Sequence, residues 1–113
     1  MMLAAATVKA KALELGFDVC GVAPAEPFAA LDRLADWIEL GRHADMAWLE
    51  RSLEKRRDPR LVLDGARAIV SCAVVYNTDQ PYSATLPPGH AAIARYAWGD
   101  DYHVVVERRL EAL

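Results

Sequence analysis

The densest cluster of side chains able to do chemistry is Arg95-Tyr96-Ala97-Trp98-Gly99-Asp100-Asp101-Tyr102-His103. It lies between a predicted strand and a predicted helix start. Such a junction brings side chains and free N–H groups to the edge of a sheet, where α/β folds commonly bind ligands. No self-sufficient catalytic signature accompanies it. The chain has no G-x-G-x-x-G, no phosphate-binding G-x-x-x-x-G-K-[ST], no H-E-x-x-H and no G-x-S-x-G.

Each member of the cluster has a plain reading beside a chemical one. Asp100 and Asp101 stand where a helix begins, and either carboxylate can cap it; we assign the cap to Asp100. Tyr96 and Tyr102 suit a flat cofactor or a stacked base, and equally a half-buried position with a satisfied hydroxyl. Arg95 suits phosphate or a surface ion pair. His103 is a tautomer-flexible donor or an ordinary first-turn histidine. Outside the cluster, Arg51, Lys55, Arg56, Arg57 and Arg60 form a basic run. Glu50, Glu54 and Asp58 neutralise part of it, so a solvated connector is the expectation rather than a nucleic-acid contact. His43 reads as a helix-end residue, and Trp37 and Trp48 as core or interface.

These residues need elements to position them. Residues 3–15 are rich in Ala, with Ala4, Val8, Ala12 and Leu15 at helical spacing. Gly16 is placed to end that helix. Residues 17–23 read as a buried strand stopped by Pro24. Pro27 suits the start of a second helix whose stripe is Phe28, Leu31, Leu34 or Ala35, and Ile38, closed by Gly41. A short helix is expected over 45–54, with Met46, Leu49 and Leu53 on one face, and a turn or a short helix over 61–65. Residues 68–76 are the strongest strand signal, apolar enough to suggest burial on both faces. A loop over 77–89 carries three prolines and leads to a short strand over 91–96. Gly99-Asp100-Asp101 opens a last helix, with Val106, Leu110 and Leu113 as its stripe. This order predicts an α/β (α+β) sandwich, with helices covering a mixed sheet.

The chain's 113 residues amount to one domain, and a 54% hydrophobic share supports a packed core. A net charge of −3 supplies no general field for a polyanion. The two cysteines, Cys20 and Cys72, lie in apolar runs and read as core. With no C-x-x-C, the chain cannot by itself hold a four-thiolate metal or iron–sulfur site. The start has no basic region before its apolar stretch, and Lys9 and Lys11 break that stretch early. No run reaches membrane-spanning length. A cytoplasmic protein with no membrane partner is the expectation. The last helix is still periodic at Leu113, which suggests that the fold is incomplete in this chain.

Four segments, in order, resemble those of epoxyqueuosine reductases. Leu15-Gly16-Phe17-Asp18 with Gly21-Val22-Ala23-Pro24 is similar to the family's "LGFxxxGIA". Gly41 through Leu49, with His43, Met46 and Trp48, is similar to "GxHGxMxWL". Arg57-Asp58-Pro59-Arg60 continuing to Gly65-Ala66-Arg67-Ala68-Ile69-Val70-Ser71 is similar to "RxDPRxLLPGARSVIS". Arg95-Tyr96-Ala97-x-Gly99-x-Asp101-Tyr102-His103 is similar to "RYAxGxDYH". The family usually has Arg where this chain has Asp100.

The resemblance implies the N-terminal part of a cobalamin-binding catalytic domain on a nitroreductase-like scaffold. It implies an oxidoreductase that reduces epoxyqueuosine to queuosine at the wobble position of tRNA, fed by an electron donor through two 4Fe–4S clusters. The family's cysteine-rich cluster motifs would lie downstream. Asp101 maps onto the family's proton donor, its pKa expected to rise by burial against the corrin. Arg95, Tyr96, Tyr102 and His103 map beside the cofactor. The rival readings are a non-catalytic corrinoid- or RNA-binding module and another corrinoid reductase, such as a reductive dehalogenase. The 113 residues alone are expected to be inactive.

Overall fold

The computed structural model describes residues 4–113, so Met1 to Leu3, including the expected first residue of the opening helix, lie outside it. The chain divides into two compact units: residues up to Gly21 together with Ser71–Leu113, and Val22–Val70. The described residues contain four α-helices and two strands, joined by 3-10 turns.

In the first unit, α1 spans Ala5–Glu14. Gly16 ends it at φ +90°. The Gly16 N–H reaches the Leu13 carbonyl at 3.0 Å, and the Phe17 N–H reaches that of Ala12 at 3.1 Å. This paired arrangement satisfies carbonyls that a helix end otherwise leaves free, and it requires a left-handed residue. Ala12 and Phe17 are both buried here. Arg109, from α4 (Tyr102–Ala112), donates to the Gly16 carbonyl at 2.7 Å and lies 6.0 Å from the Phe17 ring.

Strand β1 (Val19–Pro24) pairs with β2 (Ala68–Ala73). The Asp18 N–H donates to the Ala73 carbonyl at 2.9 Å and the Ala25 N–H to that of Arg67 at 3.1 Å, so the pair is antiparallel. Asp18 also accepts from the Val75 N–H at 2.8 Å, which holds the chain beyond the end of β2. Two expectations fail here. The mixed sheet is an antiparallel pair. The apolar run of β2 is not buried on both faces, since Ile69 and Val70 are about two-fifths exposed. A strand with a single neighbour has only part of its surface covered.

The expected strand over 91–96 is irregular backbone ending in a 3-10 turn at Arg95–Ala97. Side chains hold it instead of a ladder. Arg95 donates to the Asn77 side chain, to the Thr78 carbonyl at 2.7 Å and to the Gln80 carbonyl at 2.5 Å. The Trp98 indole N–H donates to the Ile93 carbonyl at 2.9 Å.

In the second unit, a 3-10 turn at Ala29–Leu31 leads into α2 (Asp32–Glu39), which Gly41 ends at φ +67°. The helix expected over 45–54 is instead a series of turns, a 3-10 turn at Glu50–Ser52 and then α3 (Leu53–Arg57). Ala44, at φ +48°, already departs from helical backbone before this segment, and Ser52 adds a local competitor. Its hydroxyl donates to the Trp48 carbonyl at 3.0 Å, competing with the backbone for that acceptor. Part of the basic run is folded and paired, while Arg51 and Lys55 are exposed as a solvated connector would have them. Arg57 meets Asp32 at 2.5 Å, Arg60 forks onto Asp58, and Arg56 lies 4.7 Å over the Trp48 ring. No described helix is long and apolar enough to cross a membrane.

Candidate functional site

The first unit carries an open cavity of about 810 Å³, within the size range of small-molecule sites. Its aromatic wall is Tyr76, Tyr96, Trp98 and Tyr102, and its aliphatic wall is Val74, Val105 and Val106. Asn77, Thr78, Arg95 and Asp100 add polar groups. The wall has a defined geometry. Tyr76 meets Tyr96 edge-to-face at 6.3 Å, and Tyr96 meets Tyr102 likewise at 6.0 Å. Tyr102 then stacks on the His103 ring at 4.0 Å. All three tyrosines stay about half exposed, so their apolar faces are available to a ligand.

Three sequence candidates, Arg95, Tyr96 and Tyr102, therefore line one cavity. Arg95 lines it with its donors already committed to Asn77, Thr78 and Gln80, so its local task is to hold the loop. It also lies 4.4 Å over the Tyr82 ring.

Asp101 and His103 sit beside the cavity rather than in its wall. Asp101, not Asp100, caps α4. Its Oδ1 accepts the His103 N–H at 2.9 Å and lies 2.8 Å from His103 Nδ1. The reason is local: Asp101 is the last residue before the helix, at φ −60° and ψ 115°, which aims its carboxylate at the second helical N–H. Asp100 faces the cavity instead. The His103 backbone N–H, then its ring, hold the Asp101 carboxyl below its ordinary pKa. The expected rise of the Asp101 pKa depends on burial against a corrin, which these residues alone do not supply. In this exposed cap the hydrogen bonds outweigh desolvation.

Tyr76, Asn77 and Thr78 were not singled out for the site, and Trp98 stood in the cluster without an assigned role. The available signal was position. Tyr76 ends the strongest apolar run, and α/β ligand sites gather at the carboxyl ends of strands. His43 belongs to the second unit, where its Nε2 meets Glu50 at 2.7 Å and its buried Nδ1 has no partner among the described residues.

The fit to a corrin can be judged on this wall. An open trough of tyrosine and valine faces suits one side of a large, flat, largely apolar ring. The Asn77 and Thr78 side chains and Asp100 supply groups that could meet peripheral amides.

Comparison with known proteins places this arrangement. Residues 56–113 match the family described as epoxyqueuosine reductase QueG, DUF1730. The chain is 41% identical to the epoxyqueuosine reductase of Synechococcus sp. (strain CC9605) over 110 residues, 94% of this chain and 32% of that protein. It is 42% identical to that of Synechocystis sp. over 96 residues, 82% of this chain and 32% of the relative. It is 40% identical to that of Gloeobacter violaceus over 111 residues, 96% and 33% respectively. No solved structure matches. The chain spans about a third of the length of these relatives. The family match runs through the cavity wall and the Asp101 cap, and on that basis the chain belongs to the epoxyqueuosine reductase family.

Proposed function

We propose that this chain is the cavity-bearing part of a cytoplasmic oxidoreductase that reduces epoxyqueuosine to queuosine in tRNA. Cobalamin would lie against the tyrosine wall. Two 4Fe–4S clusters and an electron donor would be supplied from outside these residues. One observation supports the reading above others: every residue of the cavity wall falls inside the family match at 56–113.

In this reading cobalamin, when bound, supplies the reducing equivalents. The rest falls to the chain's own side chains. Tyr96 and Tyr102 offer apolar faces to the ring, and Arg95 keeps the 77–80 loop at the rim. Converting the epoxide to an alkene takes two electrons and two protons, and its oxygen leaves as water. Asp101 is the proposed proton donor. A group held as a carboxylate by its cap must first gain a proton, and the His103 ring at 2.8 Å is placed to hand one over. Water exclusion at the cavity mouth would favour that transfer, because desolvation disfavours the charged carboxylate.

The test is a titration of the chain with hydroxocobalamin, followed by the cofactor's visible spectrum and by quenching of tryptophan fluorescence. Saturable binding that Tyr102→Ala weakens by roughly 10-fold is expected, from the loss of one stacked aromatic face. Binding that never saturates, or that ignores the Tyr102 substitution, sinks the reading.

A further inference from the structure

Cys20 in β1 and Cys72 in β2 bring their sulfurs to 3.8 Å. Both are free, half-buried thiols, and neither lines the cavity. Their strands are hydrogen-bonded neighbours, tied by the Asp18–Ala73 and Ala25–Arg67 bonds at 2.9 and 3.1 Å. The backbone therefore holds the two thiols together. Bonded sulfurs lie about 2.05 Å apart, so less than ~2 Å of approach is needed, within reach of side-chain rotation.

We propose that Cys20 and Cys72 form a redox-modification site, a dithiol that a small-molecule disulfide such as glutathione disulfide converts reversibly to an intramolecular cross-strand disulfide. One thiol loses its proton and attacks the glutathione disulfide, releasing one glutathione thiol. The second thiol then loses its proton, displaces the remaining glutathione and closes the protein S–S bond. The protein gives up two electrons and two protons, and one glutathione disulfide becomes two glutathione thiols.

The cysteines are 52 residues apart in sequence. The chain between them includes all of the Val22–Val70 unit. The bond would clip the two strands where the chain enters and leaves that unit. Burial, with Cys20 beside it, pushes the Cys72 thiol above its ordinary pKa, which slows exchange through that sulfur. Its equilibrium is governed by the enforced proximity. No feature of the proposed reductase chemistry enters this site.

The 113-residue chain is equilibrated with mixtures of reduced and oxidised glutathione, in native buffer and in concentrated urea. Free thiols are then trapped by acid and alkylation, and the Cys20–Cys72 peptide is quantified by mass. The oxidation constant should be roughly 100-fold larger in native buffer than in urea, because only the folded strands hold the thiols together. Cys20→Ser and Cys72→Ser should each abolish the linked peptide while keeping the circular dichroism of the parent. The oxidised chain should melt on the order of 10 °C above the reduced one. Equal constants in the two solvents would overturn the proposal. So would glutathione adducts or disulfide-linked dimers in place of the linked peptide, or an oxidised chain that melts no higher than the reduced one.

Discussion

Asp58 and Asp101 do the same local job with different partners. Each precedes a helical turn, and each accepts the backbone N–H two residues on, from Arg60 at 3.1 Å and from His103 at 2.9 Å. Each carboxyl is held below its ordinary pKa. At Asp58 the main cause is the Arg60 guanidinium, which forks onto both oxygens at 2.9 and 2.7 Å. At Asp101 the main cause is the His103 backbone N–H, with the imidazole second. A guanidinium keeps its proton at any working pH, whereas an imidazole can give one up. Asp58 is thus locked as a carboxylate. Asp101 has an imidazole partner, the proton source in the proposed reading, next to the cavity-lining Asp100 and Tyr102. A single capping device is joined to a guanidinium in one unit and to an imidazole beside the cavity in the other.

The comparison breaks most visibly in turnover. Asn caps a helix about as well as Asp but has no proton to donate, so Asp→Asn separates the two tasks. In a polypeptide that carries this chain with the remaining length of its relatives, Asp101→Asn should lower kcat for queuosine formation by about 100-fold or more. Its cobalamin affinity should stay near that of the parent. Asp58→Asn in the same polypeptide should leave kcat essentially unchanged. Equal, small effects from both substitutions would make Asp101 only a second cap.

The aromatic neighbours of the two caps sharpen the contrast at a smaller scale. Tyr102, stacked on His103, lines the cavity, while Trp48 carries the Arg56 guanidinium at 4.7 Å in the other unit. Both rings are about half exposed, so exposure alone does not distinguish them. Tyr102→Ala should weaken cobalamin binding by roughly 10-fold and Trp48→Ala should not, as read by fluorescence titration. Comparable losses from both would mean that the cofactor does not rest on the tyrosine wall.

Local signals in the sequence carried over where one residue decides the outcome. Gly16 and Gly41 end their helices because each takes a left-handed conformation, a choice visible in the residue type alone. The last helix forms where its periodicity indicates, starting one residue later than a cap at Asp100 implies. Signals that depend on partners failed. The 91–96 segment has strand-forming residues but no ladder, because Arg95 and Trp98 bond to loop carbonyls instead. Ile69 and Val70 look like a doubly covered strand, and a two-stranded sheet leaves them partly exposed. The site divides in the same way. Arg95, Tyr96 and Tyr102 were legible as a contiguous cluster. Tyr76 and Asn77 reach the cavity only through the fold. Which aspartate caps α4 turned on one backbone angle that neighbouring residue types do not fix.

The smallest expected effect is on stability in acid, and it tests the comparison directly. Both aspartates have a folded pKa below the unfolded value. Each therefore contributes stability above about pH 3.9, and the contribution is lost as pH falls through the lower folded value. Asp58→Asn loses the guanidinium fork and should lower Tm by roughly 2 °C at neutral pH. Asp101→Asn keeps a capping oxygen and should lower it by less. Each deficit should shrink as pH falls below about 4, and thermal melts across that range check it. Equal deficits would mean that the fork at Asp58 adds nothing to the N–H cap that both aspartates share.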